Sequence, residues 1–297
     1  MENYKEQVAL LLAVLPEVAK EECFALHGGT AINLFVRNMP RLSVDIDLTY
    51  LPLEDRENSF FNINTALKKI EDRIKNVDAS LKLSPQTDKL KLQIQSKNAL
   101  IKIEVNQAIR GVIDKIENRE LCEKAEQEFD AFCMVPCVPF NQLFGGKICA
   151  ALDRQHPRDL FDVKYLLENE GFTENIKIGF LFCLLSSKRP IIEMLFPSFT
   201  NQKAAYDNQF AGMTKEKFSY EDFEFTREQL VQTIHKSLTA KDKEFIANFE
   251  NGTPDWSTND FSVFPSVSWK LKNVENLKTT NPAKHELGIK ALKEKLK

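Results

Sequence analysis

The segment from residue 42 to 50 restricts the fold and chemistry of this chain most, because its side chains alternate in character. Positions 44, 46 and 48 are apolar, whereas Asp45 and Asp47 lie among the polar ones. This period of two predicts a β-strand with one face in the core and both aspartates on the other face. Two neighbouring carboxylates repel each other unless a cation lies between them, so the pair supports a divalent metal site. Exposed aspartates at a strand end are the alternative.

A strand, a glycine turn and a helix precede the aspartate strand. Residues 24–26 predict a short buried strand, Gly28 and Gly29 end it, and residues 31–36 resume a helical pattern. Such a turn directs backbone N–H groups and the hydroxyl of Thr30 toward an anion at the start of the helix. A phosphate-binding turn close to a pair of metal-binding carboxylates is what chemistry on an NTP and Mg²⁺ requires. Glycines that only permit a tight turn are the alternative.

A third acid follows on a further predicted strand. Residues 89–95 and 100–105 alternate in polarity, and residues 96–98 between them predict a hairpin turn. Glu104 and Lys102 share one face of the second strand, opposite apolar residues. If this strand lies beside the aspartate strand, three carboxylates converge, and Glu104 would bind a metal and accept the proton of an attacking hydroxyl. A solvated acid on the sheet face is an equally valid interpretation.

The second half of the chain has mainly helical patterns. Together with the strands, they predict an α+β fold in which helices pack on a sheet. The predicted helical segments beyond Pro139 are 143–152, 157–167, 176–196, 204–215, 226–249 and 283–296.

The first two of these helices carry candidate contacts to a nucleotide. Lys147 is the only charged residue in the apolar segment 143–152, so we expect its amine to meet phosphate. A lysine that merely extends to solvent is the alternative. Arg158, Asp159 and Asp162 follow in the next helix, where one of the two aspartates would orient the lysine or the nucleotide. Arg158 and Asp162 could equally form a simple ion pair at i, i+4.

The charge distribution suggests where a nucleic acid would bind. The net charge of the 297-residue chain is −3, so no overall basic excess points to nucleic acid. Residues 267–297 nevertheless contain eight lysines and three glutamates. If the protein acts on RNA, we expect this C-terminal segment to contact its phosphates, through Lys270, Lys272, Lys284, Lys290 and Lys293. A lysine-rich terminus that is only solvated is the alternative.

Other features exclude several classes of protein. The six cysteines are irregularly spaced, which favours reduced thiols over a disulfide framework. Cys133 and Cys137 are the only close pair, and without a second pair a zinc site is disfavoured. We see no signal peptide and no apolar stretch long enough to span a bilayer. The sequence therefore predicts a cytoplasmic protein that does not bind membranes, and we expect a monomer.

The order and spacing of these motifs resemble one family over nearly the whole chain. The segments that carry the resemblance are His27–Ala31, the pattern Arg41-x-Ser43-x-Asp45-Ile46-Asp47-Leu48, Glu104, Lys147, Arg154, Arg158–Asp162, Pro254–Trp256 and Phe264–Asn273. Together they are similar to the AbiEii/AbiGii nucleotidyltransferase toxins, and the combined pattern is far more specific than any part.

The resemblance implies a DNA polymerase β-like nucleotidyltransferase domain over residues 1–170, with a mixed sheet and flanking helices, followed by a mainly helical domain over residues 171–297. It implies a toxin of a toxin–antitoxin or phage-defence system, with a cognate antitoxin whose direct binding stays open. Mg²⁺ or Mn²⁺ would be bound by Asp45, Asp47 and Glu104. The catalytic set would add Lys147, Asp159 and Asp162, and the nucleotide-binding set is Gly28, Gly29, Thr30, Arg41, Ser43, Lys147 and Arg158.

Three hypotheses about function remain at this point. The first is transfer of a nucleotide from an NTP of unspecified base to RNA, with the 3′ end of tRNA as the expected acceptor, which would inhibit translation. The second is the same chemistry on a small molecule or a protein hydroxyl. The third is a nucleotide- or RNA-binding module without turnover, which the retention of three mutually repelling acids disfavours.

Overall fold

A seven-stranded mixed sheet lies in the first half of the chain, with the strand order β3-β4-β5-β2-β1-β7-β6. The computed structural model describes residues 2–297. The strands are β1 (Phe24–His27), β2 (Asp45–Tyr50), β3 (Lys82–Gln86), β4 (Lys91–Gln95), β5 (Leu100–Arg110), β6 (Glu117–Glu120) and β7 (Met134–Cys137).

Helices pack on this sheet and make up nearly all regular structure after it. They are α1 (Glu2–Ala19), α2 (Gly28–Thr30), which continues as a π-helical turn over Ala31–Val36, α3 (Arg56–Val77), α4 (Glu123–Phe129), α5 (Phe140–Arg154), α6 (Pro157–Asn169), α7 (Glu174–Ser186), α8 (Ile191–Leu195), α9 (Lys203–Ala205), α10 (Tyr220–Ser237), α11 (Ala240–Glu250), α12 (Pro265–Thr280) and α13 (Pro282–Leu296). This architecture confirms the predicted mixed sheet with flanking helices.

The register of the sheet brings the acidic residues together. β2 pairs in parallel with β5, so that Asp45 lies opposite Lys102 and Asp47 lies opposite Glu104. The intervening Ile46 and Ile103 are also paired and are buried on the other face. The alternation that was visible in the sequence therefore places all three acids on one face of two adjacent strands.

The apolar face of the sheet is covered by α1 and α3, which contact β5 and β4. Helix α3 begins where Asp55 accepts a hydrogen bond from the backbone N–H of Asn58 at 2.9 Å, an N-cap that satisfies a free donor of the first turn. With one face closed by helices, the acids are directed to the opposite face.

Two long helical segments predicted from the sequence are each divided in the structure. The segment 176–196 is interrupted after Ser186, and α8 begins only after Pro190, whose ring cannot continue a helix. The segment 226–249 is interrupted at Thr239, whose side chain and that of Asp242 form a capping box that begins α11. Residues 265–280, for which no helix was predicted, form α12.

Two glycines allow α5 and α7 to cross in direct backbone contact. A Cβ atom at Gly145 would lie 2.3 Å from the carbonyl carbon of Gly179, and one at Gly179 would lie 1.9 Å from the carbonyl oxygen of Asn141. The contact joins the helix that carries Lys147 to the helical second half, and buried apolar residues from Val8 to Leu296 form one cluster. The predicted division at residue 170 stays a prediction.

Adjacent glycines of α5 should respond oppositely to alanine. Gly145→Ala is expected to destabilise the protein by roughly 2 kcal/mol or more, because its Cβ would meet backbone that cannot move independently. Gly146→Ala is the matched control, since its Cβ would find only the Cys183 sulfur at 3.9 Å. It should stabilise the helix by about 0.5–1 kcal/mol. Urea unfolding of both variants measures the difference, and equal effects would contradict the close crossing.

Candidate active site

The glycine turn lies directly against the carboxylate of Asp47. Gly28 has a φ of +74°, a left-handed conformation that favours glycine, and a Cβ at this position would lie 2.4 Å from Oδ2 of Asp47. A Cβ at Gly29 would lie 2.8 Å from Nη2 of Arg41 and 2.9 Å from Oγ of Ser43. A larger residue would not fit at either position, because Gly28 lies against Asp47 and Gly29 lies against the side chains of Arg41 and Ser43.

The hydroxyl groups of Thr30 and Ser43 hold the turn to the aspartate strand. The Thr30 hydroxyl donates to the backbone carbonyl of Asp45 at 2.5 Å and lies 3.1 Å from the Ser43 hydroxyl. Both side chains are buried. The sequence suggested that Thr30 donates to a phosphate, whereas here its hydroxyl is bonded within the protein. The structure thus places Thr30 and Ser43 behind the turn, where they fix the distance between Gly28 and the two aspartates.

Asp45 and Asp47 are held in surroundings that disfavour their charged forms. Burial raises the pKa of Asp47, and the charge of Glu104 adds to the effect against that of Lys147. Burial likewise raises the pKa of Asp45, where Lys102 opposes it and Asp47 adds to it. Among the described residues, none donates a side-chain hydrogen bond or ion pair to the Asp47 carboxylate. A cation from outside the protein would relieve this repulsion.

Two lysines of the sheet pair with the acids. Lys102 lies 3.7 Å from carboxylate oxygens of both Asp45 and Glu104, and Lys91 lies 2.9 Å from Glu104. These half-exposed pairs are weak contacts. The sequence placed Lys102 on this face. The predicted hairpin brings Lys91 opposite Glu104, although Lys91 was not predicted as a site residue.

A buried ion network forms the second wall of the site. The Lys147 amine lies 2.8 Å from Asp159 and 3.0 Å from Asp162. Arg41 donates from Nε and Nη2 to the two oxygens of Asp162 at 2.8 and 2.6 Å. Burial raises the pKa values of both aspartates, but the charges of Lys147, Arg154 and Arg41 outweigh it, and both pKa values lie below their ordinary value. Both carboxylates are therefore charged at neutral pH.

Two further residues complete this wall. Arg154 donates from Nε to Asp159 at 2.5 Å while most of its side chain stays exposed at the cavity. Asn33, which the sequence did not single out, donates to Asp162 at 3.0 Å and to the carbonyl of Gly29 at 2.9 Å. It ties the glycine turn to the ion network. In the sequence, Asn33 is distinguished only by its position four residues after Gly29.

Arg158 does not form the suggested helix ion pair with Asp162. Asp162 instead pairs with Arg41 and Lys147, and no carboxylate of the described chain lies within 4.0 Å of the Arg158 guanidinium. Burial lowers the pKa of Arg158, the charge of Arg41 adds to this, and the charge of Asp45 opposes it. Arg158 thus stays without a carboxylate partner near Asp45, as a residue that binds an anion would.

A cavity of about 670 Å³ opens in front of these groups. The predicted residues that line it are Gly28, Gly29, Asp47, Glu104 and Lys147. Seven other predicted site residues do not line the cavity: Thr30, Arg41, Ser43, Asp45, Arg158, Asp159 and Asp162. The cavity also has polar residues that were not among the predicted site residues, including His27, Asn106, Gln107, Gln142, Ser187 and Lys188. Of these, burial and the charge of Lys147 lower the pKa of His27 to about 4, so its ring is neutral at pH 7.

The acids fit a divalent metal of the Mg²⁺ type, provided that the nucleotide supplies further ligands. In the part of the chain that the structure describes, no three His, Cys, Asp or Glu side chains are close enough to hold a metal by themselves. Mg²⁺ is commonly bound by one or two carboxylates together with substrate phosphates. Asp45 and Asp47 provide such a pair, and Glu104 follows beside Asp47 in the register.

A mixed sheet that presents Asp-x-Asp and a third acid beside a glycine turn is the arrangement expected of a nucleotidyltransferase. The sequence matches the family model described as "Nucleotidyl transferase AbiEii toxin, Type IV TA system" over residues 9–273. The chain therefore belongs to the AbiEii nucleotidyltransferase toxin family. It is a nucleotidyltransferase toxin of a type IV toxin–antitoxin system, with an NTP as substrate and an antitoxin as partner.

A solved structure supports the fold. MenT4, a nucleotidyltransferase toxin from Mycobacterium tuberculosis, superposes with a TM-score of 0.63, covering 92% of this chain and 93% of that chain at 12% identity. No curated protein sequence matches this chain. None of the described helices is long and apolar enough to cross a membrane.

The basic C-terminal segment agrees only partly with the expected RNA contacts. Lys270 is only 7% exposed. Its amine donates to the carbonyls of Leu184 at 3.1 Å and Arg189 at 2.8 Å. Burial lowers its pKa to about 8, against the charge of Glu250. The expectation for Lys270 is thus corrected: it holds the end of α7, and it is inaccessible to RNA. The other four lysines remain exposed on α12 and α13: Lys272, Lys284, Lys290 and Lys293.

Proposed function

We propose that this toxin transfers a nucleoside monophosphate from an NTP to the 3′ hydroxyl of a tRNA and thereby blocks aminoacylation and translation. The observation that carries the proposal is the Asp47 carboxylate. It faces a cavity of about 670 Å³ beside Gly28 and Lys147. Such an acid, half-buried and without a side-chain donor among the described residues, costs stability unless a ligand uses it.

The cavity divides into a triphosphate side and an acceptor side. Backbone N–H groups at Gly28 and Gly29 bind phosphate oxygens, as N–H groups at the start of a helix do. Lys147 and Arg154, both held by Asp159, supply positive charge from the opposite wall. Arg158 extends this charge toward Asp45. Arg41 and Asp162 position the wall and do not touch the nucleotide, because their donors and acceptors are bonded to each other.

The reaction is an in-line displacement. The acceptor oxygen forms a bond to the α-phosphorus, the bond from that phosphorus to the bridging oxygen breaks, and pyrophosphate leaves. Glu104 accepts the proton of the attacking hydroxyl from its half-exposed position beside Asp47. Mg²⁺ or Mn²⁺ held by Asp45, Asp47 and Glu104 would neutralise the phosphates and stabilise the charge that develops in the transition state. The fixed charges of Lys147 and Arg154 stabilise the pyrophosphate as it departs.

The proposal for the acceptor is tested by blocking its 3′ end. Purified protein, Mg²⁺ and each α-³²P-labelled NTP are incubated with total tRNA, either intact or oxidised with periodate, which destroys the terminal diol. We expect labelled product from intact tRNA and none from oxidised tRNA. Equal labelling would move the modification to an internal hydroxyl or a base. Label that appears on small molecules or protein in place of tRNA would establish the second hypothesis instead.

A further inference from the structure

We propose that the outer strands of the sheet form a cationic surface on which the single-stranded end of an RNA acceptor lies. This inference rests on the proposed function, since it assumes that the acceptor is RNA. We call the surface the strand platform. Its members are the outward-facing strand residues Lys82, Gln86, Lys91, Gln93, Gln95 and Lys102, together with Lys89 and Lys97 in the turns at the two ends of β4.

The register shows that the strand platform is continuous with the catalytic acids. Residues that pair across neighbouring strands share a face of the sheet. From the active site outward, Asp47 pairs with Glu104, Glu104 with Lys91, and Lys91 with Gln86. A polynucleotide on this face can therefore reach the site without crossing another element of the fold.

Two further sets of paired residues lie beside this one on the same face of the sheet. Asp45 pairs with Lys102, and Lys102 with Gln93. Further from the acids, Gln95 pairs with Lys82. The platform thus spans three strands and provides length for several nucleotides.

The two faces of these strands differ in their surroundings. Leu92 and Ile94, which alternate with the platform residues of β4, are buried beneath the helices. Lys82 and Gln95 are exposed, and Gln93 is half-buried on the open face. Neither Gln93 nor Gln95 makes a side-chain hydrogen bond within the described residues, so both amides are available to a ligand.

The charge of this region suits a polyanion. Residues 82–97 contain four lysines and one aspartate, in a chain whose net charge is −3. Lys82, Lys89 and Lys97 are exposed and have no carboxylate within 4.0 Å in the described chain. Lys89 and Lys97 lie in the turns at the two ends of β4. Lysines without a carboxylate partner on an open polar face are typical of surfaces that bind phosphates. Contacts to phosphates supply most of the affinity of a protein for nucleic acid.

A different role is also known for such lysines. β3 is the edge strand of the sheet, and lysine on an edge strand prevents pairing with other chains. That role predicts aggregation when the lysines are removed and no change in RNA binding. The two roles are therefore separated by measuring RNA affinity on protein that stays monodisperse.

The test compares two triple variants with the same change in charge. The platform variant is Lys82→Gln, Lys89→Gln and Lys97→Gln, and the matched control on the C-terminal helix is Lys284→Gln, Lys290→Gln and Lys293→Gln. None of these residues touches the cavity. RNA affinity is measured by fluorescence anisotropy with tRNA as a function of salt, and NTP affinity by calorimetry.

We expect the platform variant to bind tRNA roughly tenfold more weakly at about 0.15 M salt, and its salt slope to fall by about two units. NTP affinity should not change, and the C-terminal variant should lose less tRNA affinity than the platform variant. An equal loss in both variants would reflect only the loss of positive charge and would overturn the platform. Unchanged tRNA affinity in the platform variant, or a loss confined to the control variant, would overturn the platform. If the wild type neither binds nor labels any RNA, the proposed function itself fails. A wild type that labels tRNA while the platform variant does so with equal KM overturns only the platform.

Discussion

Asp47→Asn is expected to abolish nucleotide transfer and, at the same time, to stabilise the free protein. Transfer should fall by at least roughly 10³-fold, since the substitution removes a charge that interacts with the transition state. The fold should persist, because no described side chain donates a hydrogen bond to this carboxylate and the amide occupies the same volume. The assay is transfer of label to RNA at saturating Mg²⁺. The control is Asp72→Asn, an exposed residue of helix α3, which packs against the opposite face of the sheet.

The stability of Asp47→Asn has a definite dependence on pH. Because burial raises the pKa of Asp47 in the folded protein, its ionisation disfavours folding once the pH exceeds the ordinary pKa of an aspartate. The variant should therefore unfold at a higher temperature than the wild type at pH 7.5. The difference should shrink as the pH falls through the raised native pKa, and it should be lost near pH 4, about the ordinary pKa of an aspartate in the unfolded chain. A lower melting temperature at pH 7.5 would show that the carboxylate has a partner in the free protein.

The second large effect is expected for Asp162→Ala. The side chain is 1% exposed and joins Arg41, Lys147 and Asn33. Its removal leaves cations buried without their counter-charge, at a cost of about 3–5 kcal/mol. Glu168→Ala, which removes an exposed ion pair on the same helix, should cost at most about 1 kcal/mol. Urea unfolding at pH 7 compares the two, and equal losses would contradict the buried network.

Acid titration gives an independent check on this network. The charges of Arg41 and Lys147 outweigh burial and hold the pKa of Asp162 below its ordinary value, so the carboxylate stabilises the fold above about pH 4. This stabilisation is lost as the pH falls through the lowered pKa. The stability advantage of the wild type over Asp162→Ala should therefore narrow in acid. If the alanine variant does not fold, the same titration is carried out with Asp162→Asn, which keeps the shape of the side chain and one acceptor oxygen.

The acidic face of the site could be predicted from sequence because it depends on local periodicity. The alternation over residues 42–50 and 100–105 fixes which side chains face outward, and the parallel pairing of β2 with β5 then brings Asp47 beside Glu104. The glycine turn is likewise local, since the positive φ of Gly28 follows from its place between strand and helix. The three short strands β3, β6 and β7 lack a clear alternation and were not predicted.

The supporting contacts could not be predicted because they join distant parts of the chain. Arg41 and Asp162 are 121 residues apart, and no local pattern distinguishes this arginine from one that binds phosphate. Lys270 lies in a lysine-rich segment and looks solvated in sequence, yet its amine caps α7 across 86 residues. The role of Gly145 also depends on Gly179, so the glycine pair before Lys147 has no local explanation.

The central claim is that a nucleotide is transferred to RNA at the Asp45–Asp47 site, and one labelling experiment tests it most directly. Wild-type protein and Asp47→Asn are each incubated with total RNA, Mg²⁺ and a single NTP that carries ³²P in either the α- or the γ-phosphate. We predict that the wild type labels RNA from at least one α-labelled NTP and from no γ-labelled NTP, and that Asp47→Asn labels none. RNA labelled from the γ-phosphate, equal labelling by Asp47→Asn, or no labelled RNA with any of the four nucleotides would contradict the claim.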